Sequence, residues 1–426
     1  MNAERGTVIA GGADSRRGWW VVAATFVGLA LSYAPFTVFV FGTLVQPLQA
    51  EFGWSRAEMS FALTVTNLTI VFGSPALGLL VDRFGPRRVV LPSVFLMGLA
   101  LVAMTRMSAN IWSLYLGFFA ITVLGLGTLP HSYSRLLIGW FDRRLGLALG
   151  IALAGFGVGA ALVPQLATGM TTAFGWRSAY LLFAALVLAL SLPLAYCLLK
   201  ERSNGEADTP SGPGPGLSGR EAAGTSDYWL LLVSFFLVGI AITAILSHLV
   251  PMLIDRGMGQ TAAARCMSAL AVGLIFGRML AGYLMDHLFA PFVTAGFITV
   301  GLAGGICLLA LGAVGARAFV AAVLVGLATG SEISEIAYMV GRYFGQRSFG
   351  LIYGLMFGAF QLGSSIAAPM MGYYHDVNGD YTGALWALVV VALVGALLVV
   401  LMAPYPGMRN RGSSAAQRLP GASGRG

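Results

Sequence analysis

The sequence has very little charge for its length. Asp, Glu, Lys and Arg together make up 10% of the 426 residues, and Lys200 is the single lysine. A soluble globular protein has about 25% charged residues, so this composition excludes a soluble multidomain protein. Hydrophobic residues account for 58% of the chain, and they form successive runs of about 20 residues, the length that a helix needs to cross a bilayer. We therefore predict an all-α membrane protein.

Cysteine is also scarce, and its distribution excludes two further kinds of site. Cys197, Cys266 and Cys307 lie far apart, in three separate apolar runs. A disulfide framework or a zinc site would require closer, patterned spacing. The histidines and the acidic residues show no metal-like spacing either. We predict that the cysteines are packing residues and that the protein holds no metal and no cofactor.

The net charge of +8 does not indicate a nucleic-acid partner, because the basic residues lie in short loops between the apolar runs. Such a distribution is typical of the positive-inside rule for membrane proteins. One predicted side of the membrane holds 18 Lys or Arg residues and the other side holds six, while Arg278 lies inside a span. The richer side also holds both termini, so we predict that both termini are cytoplasmic and that lipids surround the protein.

Twelve apolar segments are predicted to cross the membrane. They are residues 19–46, 57–81, 89–107, 111–138, 145–173, 177–199, 228–254, 261–285, 291–313, 317–341, 348–375 and 382–404. A stretch rich in Gly, Pro, Ser and charge separates the first six from the last six, as a flexible linker would. The predicted regions are a cytoplasmic N-terminal tail (1–18), a first six-helix bundle (19–199), a flexible cytoplasmic linker (200–227), a second six-helix bundle (228–404) and a disordered cytoplasmic tail (405–426).

The two predicted bundles share an internal repeat. FGSPALGLLVD at 72–82 and FGRMLAGYLMD at 276–286 have the same Phe-Gly pair and the same final Asp, 204 residues apart. WFDRRLGLALG at 140–150 and YFGQRSFGLIYG at 343–354 recur at nearly the same separation. A parallel repeat is typical of transporters built from two related bundles. The repeat therefore predicts two pseudo-symmetric halves.

Arg278 is the one basic residue deep inside a predicted span. It lies eight residues before Asp286 and opposite Ser74 in the repeat, which places it roughly 12 Å from the end of its helix. A charged side chain at this depth costs roughly 2.5 kcal/mol or more. A structural ion pair is one interpretation. The interpretation that we favour is a planar guanidinium that binds a carboxylate through two hydrogen bonds.

The loop after the second span carries a specific motif, GLLVDRFGPRR at 78–88, with a weaker copy, GYLMDHL, at 282–288. This motif resembles the signature loop of the major facilitator superfamily. Three further segments are similar to the monocarboxylate-porter branch of that superfamily, with its bacterial members and the related oxalate/formate exchangers. They are GWFDRRLGLALGIALAGFGVG at 139–159, SHLVPMLIDRG at 247–257 and SEISEIAYMVGRYFGQRSFGLIYG at 331–354.

The resemblance implies the twelve-helix major facilitator fold and transport by alternating access to a site between the two halves. It also implies that Arg278, which falls on the family's eighth-helix arginine, anchors the substrate carboxylate. Animal members have an Asp one turn earlier, where this chain has Leu274, and a Lys in the first helix, whereas SYAPFTVF at 32–39 has none. The motif residues are predicted to close the inner gate, and they are Gly78, Asp82, Arg83, Gly85, Arg87, Arg88 and Asp286.

Further polar residues inside the spans are candidates for substrate or proton binding. Glu332 and Glu335 lie three residues apart on one helix, and either one could neutralise Arg278 in the empty carrier and bind a proton when substrate arrives. The alternative is a structural role, in hydrogen bonds to backbone. His248 is a third proton-coupling candidate, although a histidine near a proline kink is commonly bonded to helix backbone. The candidates for uncharged substrate contacts are Tyr33, Asn67, His131 and Gln361.

The sequence therefore predicts a secondary transporter of a small organic anion, preferably a monocarboxylate, coupled to proton symport or to anion exchange. We expect a monomer in the bacterial inner membrane. One alternative is an efflux carrier for an amphiphilic compound, and another is a ligand-binding sensor of the same fold that does not transport. An enzyme is disfavoured, because its catalytic groups would have to cluster at one depth.

Overall fold

The computed structural model describes residues 16–200 and 216–404. In this part of the chain the regular structure is helical, apart from one isolated β-bridge between Gly216 and Gly345. The first half contains α1 (Arg16–Ala30), α2 (Phe41–Phe52), α3 (Arg56–Phe84), α4 (Pro86–Met104), α5 (Trp112–Leu124), α6 (Pro130–Trp140), α7 (Leu145–Phe174), α8 (Trp176–Leu186) and α9 (Leu192–Leu198). The second half contains α10 (Gly219–Ala223), α11 (Ser226–Asp255), α12 (Gln260–His287), α13 (Ala290–Gly296), α14 (Gly304–Ala310), α15 (Ala316–Tyr343), α16 (Phe349–Asn378) and α17 (Thr382–Val400).

Many of these helices have the length and composition of membrane spans. Among the described residues, 11 helical segments are long and apolar enough to cross a membrane, and Trp112–Leu124 is a shorter apolar helix. Wide π-helical turns at Val187–Ser191 and Phe297–Ala303 join α8 to α9 and α13 to α14. The all-helical prediction therefore agrees with the structure, whereas the predicted boundaries need correction.

The first and fourth predicted spans are not continuous α-helices. The segment predicted at 19–46 begins at Arg16 and is interrupted after Ala30 by a π-helical turn at Pro35–Phe39. Proline has no N–H for the helix ladder, and its ring clashes with the preceding turn. In the segment predicted at 111–138, Leu129 adopts an extended conformation with ψ 151°, because a residue before proline avoids the helical region.

The linker prediction is wrong for its last residues. Residues 201–215 lie outside the described part, but the amide of Leu217 donates to the carbonyl of Phe344 at 2.8 Å, and α10 begins with a Ser218–Glu221 capping box. Arg347 contacts Glu221 at 3.3 Å. This segment is therefore attached to the loop between α15 and α16. The predicted tails lie outside the described residues up to position 15 and from position 405, and α1 begins inside the N-terminal tail.

Glycine allows the main helices of the second half to approach closely. A Cβ on Gly277 would collide with the carbonyl of Leu327, and a Cβ on Gly330 would collide with that of Leu274. Small residues of this kind let membrane helices pack through their backbones. As a result α12 and α15 form a tight pair, and this pair fixes the depth of Arg278 relative to the acidic residues of α15.

We expect Gly277→Ala to destabilise the protein by about 1–3 kcal/mol, because a methyl group at this position forces α12 away from α15. Gly169→Ala is the matched control. Gly169 also lies within a helix, but a Cβ there would meet no atom within 4 Å, so alanine should be neutral or slightly stabilising. Thermal unfolding in detergent measures both variants. Equal midpoints would contradict the packing argument.

Candidate substrate site and gate

Asp82 joins the two halves through the start of a helix. Its carboxylate accepts the backbone N–H groups of Gly350 and Leu351 at 2.8 and 2.9 Å. These amides lie in the first turn of α16, where N–H groups have no partner in the helix and the helix dipole favours negative charge. Asp82 lies near the end of α3, so its bonds tie the first half to the second.

Asp286 forms the equivalent contact in the opposite direction. Its carboxylate accepts the N–H groups of Gly146 and Leu147, in the first turn of α7, at 2.7 and 2.9 Å. Each half therefore caps a helix of the other half with one aspartate, as the internal repeat requires. We call these two contacts the gate, and the end of the bundle where they lie the gate end.

A third contact at the gate end was not anticipated from the sequence. Arg342 forms an ion pair with the Asp142 carboxylate at 2.7 Å and also donates to the Asp142 carbonyl at 2.6 Å. The side-chain amide of Gln346 donates through its Nε2 to the backbone carbonyl of Ile138 at 3.4 Å. These residues lie in or next to the repeated segments WFDRR and YFGQR. The repeat was therefore the available signal for this contact.

Among the other residues of the predicted gating motif, Gly78 contacts the opposite half, whereas Arg83, Gly85 and Arg87 act within their own half. Gly78 allows close approach, because a Cβ there would collide with the Gly350 backbone. Gly85 ends α3 with a φ of 82°, a conformation that favours glycine. The Arg83 guanidinium lies 5.3 Å from the Phe84 ring centroid, and Arg87 donates to the Tyr196 carbonyl at 2.9 Å. Arg88 is exposed.

The two halves separate with distance from the gate. Next to the gate, Ser74 on α3 donates to the carbonyl of Gly354 on α16 at 3.2 Å. Further along, a Cβ on Gly358 would be 3.6 Å from the Val71 carbonyl oxygen. Beyond that level Asn67 is exposed and Gln361 is half-buried. These two predicted substrate contacts therefore lie where α3 and α16 diverge.

The pair α7 and α12 diverges in the same way. A Cβ on Gly146 would collide with the carbonyl of Gly282, whereas a Cβ on Gly157 would be 3.9 Å from the nearest side-chain atoms, those of Leu274 and Ile275. Both interhelical contacts between the halves are thus tight at the gate end and loose at the other end. The interface between the two halves is therefore closed at the gate end.

Arg278 lies between the halves, just inside the closed region. Its side chain is 2% exposed, its Nε donates to the carbonyl of Gly330 at 2.9 Å, and its Nη1 donates to the carbonyl of Leu153 at 2.7 Å. Leu153 belongs to α7, so this second bond crosses between halves. Among the ion pairs of the described residues, none includes Arg278. Backbone carbonyls therefore hold the guanidinium in this conformation.

Glu332 and Glu335 are both buried in α15, at 7% and 2% exposure. One carboxylate oxygen of each residue has no hydrogen-bond partner in the described part of the chain, and the Glu332 charge lies close enough to attract the Arg278 guanidinium. Among the described residues no ion pair joins either glutamate to Arg278, whose Nε and Nη1 donate to the carbonyls of Gly330 and Leu153. Neutralisation of Arg278 by one of the glutamates stays a prediction.

His131 and Tyr353 meet across the interface at a neighbouring position. Their ring centroids are 5.3 Å apart, with a 33° angle between the planes, and the Tyr353 hydroxyl donates to the carbonyl of Ile333 at 3.5 Å. Tyr353 also lies within electrostatic range of Arg278 and Glu332. Sequence reasoning missed Tyr353, because one tyrosine in an aromatic-rich helix carries no functional signal. The site therefore combines Arg278, Glu332, Tyr353 and His131.

Two other predicted residues lie outside this group. Tyr33 is buried in the break after α1, where its backbone N–H donates to the Thr128 hydroxyl at 3.3 Å. The imidazole of His248 contacts the carbonyl of Ala368 at 3.0 Å and the hydroxyl of Tyr381 at 3.4 Å. Tyr381 immediately precedes α17 at the end remote from the gate. His248 is thus part of a separate cluster.

The fold, the repeat and the gate together define a class of protein. The family model described as Major Facilitator Superfamily matches residues 25–318, and the chain belongs to this family. It is 27% identical to bovine "Monocarboxylate transporter 13" over 91% of this chain and 90% of that protein. It is 28% identical to human "Monocarboxylate transporter 11" over 88% of this chain and 80% of that protein. The "Uncharacterized MFS-type transporter YhjX" of Escherichia coli is 23% identical over 80% of this chain and 85% of that protein.

Solved structures share the fold at low sequence identity. The Major Facilitator Superfamily transporter FucP in the outward conformation has a TM-score of 0.68 and 17% identity, and the alignment covers 90% of this chain and 99% of that chain. The human protein MFSD10 has a TM-score of 0.70 and 13% identity, over 90% of this chain and 100% of that chain. The protein is therefore a multi-pass membrane transporter of small molecules, and the predictions of a transporter rather than an enzyme, and of similarity to monocarboxylate porters, are confirmed.

We expect Asp82→Asn to open the gate. The amide keeps one acceptor oxygen but loses the charge, and a hydrogen bond to a charged group contributes about 1.5–3 kcal/mol. An open population at least about tenfold larger should follow. In a variant without native cysteines, cysteines are introduced at the exposed gate-end positions Arg88 and Leu288 and spin-labelled. Pulsed electron paramagnetic resonance then measures the distance between the two labels. Asp376→Asn, at the remote end of α16, is the control, and equal distance distributions would contradict the assignment.

Proposed function

We propose that the protein is a secondary transporter that moves a small monocarboxylate by alternating access. The observation that carries the proposal is the Arg278 guanidinium. It is buried where the halves begin to diverge, and it bonds to two backbone carbonyls and to no carboxylate among the described residues. A carboxylate is the acceptor that best matches this planar donor. The similarity to the bovine and human monocarboxylate transporters supports the same substrate class.

The proposed topology has twelve spans, with both termini in the cytoplasm of a bacterial cell and the protein as a monomer in the inner membrane. The excess of basic residues on the side of the termini supports this orientation. The gate end is then cytoplasmic, and the described conformation faces outward. Asp82 and Asp286 close the inner side, while Asn67 and Gln361 lie on the path that leads in from the outside.

In this mechanism the substrate replaces a bond between the halves. The carboxylate enters from the open side and accepts hydrogen bonds from Arg278, in competition with the carbonyl of Leu153 on α7. Loss of the Arg278–Leu153 bond removes one tie between the halves, and differential binding to two conformations is what shifts their populations. Substrate binding thus favours opening of the gate.

Glu332 is the proposed proton site. Its carboxyl group has an unpartnered oxygen and attracts Arg278, so in its charged form it competes with a substrate anion for the guanidinium. Protonation removes that competition, and the substrate anion and one proton would then cross together. Exchange of one anion for another at the same site is the alternative mode. A dicarboxylate is disfavoured, because its second charge finds no second buried cation among the described residues.

A thermal-shift screen with short monocarboxylates, dicarboxylates and matched uncharged amides tests the proposal. A ligand at 100 times its dissociation constant stabilises the native state by about 2.7 kcal/mol. We expect monocarboxylates to raise the unfolding temperature and amides to have no effect. Stabilisation by amphiphilic compounds alone would favour the efflux alternative. Binding without flux in proteoliposomes would favour the sensor.

Arg278→Ala should abolish the shift by the best acid, and Arg278→Lys should recover it poorly, because an ammonium group lacks the planar fork. The control is Arg256→Lys. Arg256 also donates to a backbone carbonyl, that of Leu309 at 2.7 Å, but it caps α11 away from the site. Ligand-induced shifts of wild-type size in the alanine variant would rule out Arg278 as the anchor.

Glu332→Gln should preserve acid binding and remove its dependence on pH, since glutamine is neutral and of similar size. Uptake driven by a proton gradient should fall by at least about tenfold, whereas exchange of labelled for unlabelled acid should persist. Glu335→Gln is the neighbouring control on the same helix. Proton-driven uptake that survives in Glu332→Gln would assign the proton to another residue.

A further inference from the structure

His131 is enclosed completely by the interface between the halves. It is 0% exposed, and neither of its ring nitrogens has a hydrogen-bond partner within residues 16–200 and 216–404. Its ring lies against Tyr353 of the second half. Seven residues later on the same face of α6, Ile138 lies against Gly341 of α15, whose Cβ position is 3.1 Å from the Ile138 side chain. His131 is thus part of the surface that must separate when the gate opens.

Among the described residues, few titratable groups lie near this imidazole, and none bonds to it. Its own helix carries Arg135, one turn further toward the gate. Tyr353 is its ring neighbour from α16, and α15 contributes the buried carboxyl groups of Glu332 and Glu335. α7 has no charged residue along its length. The other helices that pack against α6 contribute charged residues at the gate end, namely Arg16 and Arg17 on α1, Asp82 and Arg83 on α3, and Arg87 and Arg88 on α4. The ring therefore has no anion within bonding distance and no water-accessible surface.

The depth of His131 determines which side can reach it. Along α16, Phe349 and Tyr353 are fully buried, whereas Phe357 and Phe360 are each 6% exposed. Exposure therefore begins one turn beyond Tyr353, on the side remote from the gate. His131 lies on the closed side of this boundary, next to Tyr353. Separation of the halves at the gate contacts of Asp82 and Asp286 would expose it to water from the gate side.

We propose that His131 is a proton-binding site of the transport cycle, loaded from the gate side while the gate is open and emptied before the halves close. This inference rests on the proposed alternating access. It is separate from substrate binding at Arg278 and from the proton at Glu332. A charged imidazolium needs water or an anion, and the closed interface supplies neither. Closure therefore requires neutral His131, and acid on the gate side holds the gate open.

The size of the effect follows from the ordinary pKa of a hydrated histidine, about 6.5. The closed state binds no proton at His131, and the open state binds one below this pKa. Opening therefore becomes more favourable as pH falls. Between pH 7.5 and pH 5.5 the ratio of open to closed molecules should rise about tenfold.

The test uses the spin-label pair at positions 88 and 288 in the Asp82→Asn background, where the open population is large enough to measure. The open fraction is determined at pH 7.5 and pH 5.5 in full-length protein. His131→Gln should remove the tenfold change, because glutamine binds no proton. His131→Phe should do the same while keeping a ring against Tyr353. His248→Gln is the matched control, since both nitrogens of that histidine have partners at the remote end.

The outcomes separate this inference from the proposed function. A pH response that persists in His131→Gln and His131→Phe, or that is lost equally in His248→Gln, would overturn the inference and leave alternating access intact. Loss of the acid-induced thermal shift in His131→Gln, with its pH response unchanged, would instead make His131 a substrate contact. A single gate distance at both pH values, with and without the best acid, would contradict alternating access itself.

Discussion

The structure depends on two aspartates that each cap a helix of the opposite half. Asp82 and Asp286 place their charges on free N–H groups at the starts of α16 and α7, where the helix dipole and unpaired donors favour an anion. Glycines allow this approach, because Gly78 with Gly350 and Gly146 with Gly282 leave no room for a Cβ. These contacts bring Arg278 of α12 against α7 and His131 of α6 against α16. The geometry of the site is thus a consequence of the gate.

Sequence reasoning reached the residues whose chemistry is unusual for their position. Arg278 stood out because a guanidinium inside an apolar span is costly, and Asp82 and Asp286 stood out because a motif and its repeat contain them. The partners of these residues were not predictable. Arg278 bonds to the carbonyls of Gly330 and Leu153, and every residue has a carbonyl. Tyr353 and the Asp142–Arg342 pair depend on the register between helices that are distant in sequence.

The helix breaks and the attached end of the linker likewise depend on contacts that the sequence does not reveal. Pro35 and Pro130 lie inside segments that were predicted as continuous spans, because whether a proline bends a span or ends a helix depends on the neighbours that satisfy the freed backbone groups. The capping box of Ser218 and Glu221 was present in the sequence, within a stretch whose Gly and Pro content favours flexibility. Its order comes from Phe344, Gly345 and Arg347 in a loop more than 100 residues away. The composition of the segment itself cannot predict a contact with such a distant part of the chain.

The packed layer between the gate and Arg278 also acts as an electrical insulator. It is roughly 12 Å thick along α12, and side chains such as Met285, Phe349 and Tyr353 fill it without accessible surface or nearly so. An ion would have to shed its hydration to cross this layer, at a cost of many kcal/mol. Under the proposed alternating access, this layer keeps the membrane potential from dissipating while the gate is closed, and the joint crossing of a monocarboxylate anion and one proton moves no net charge.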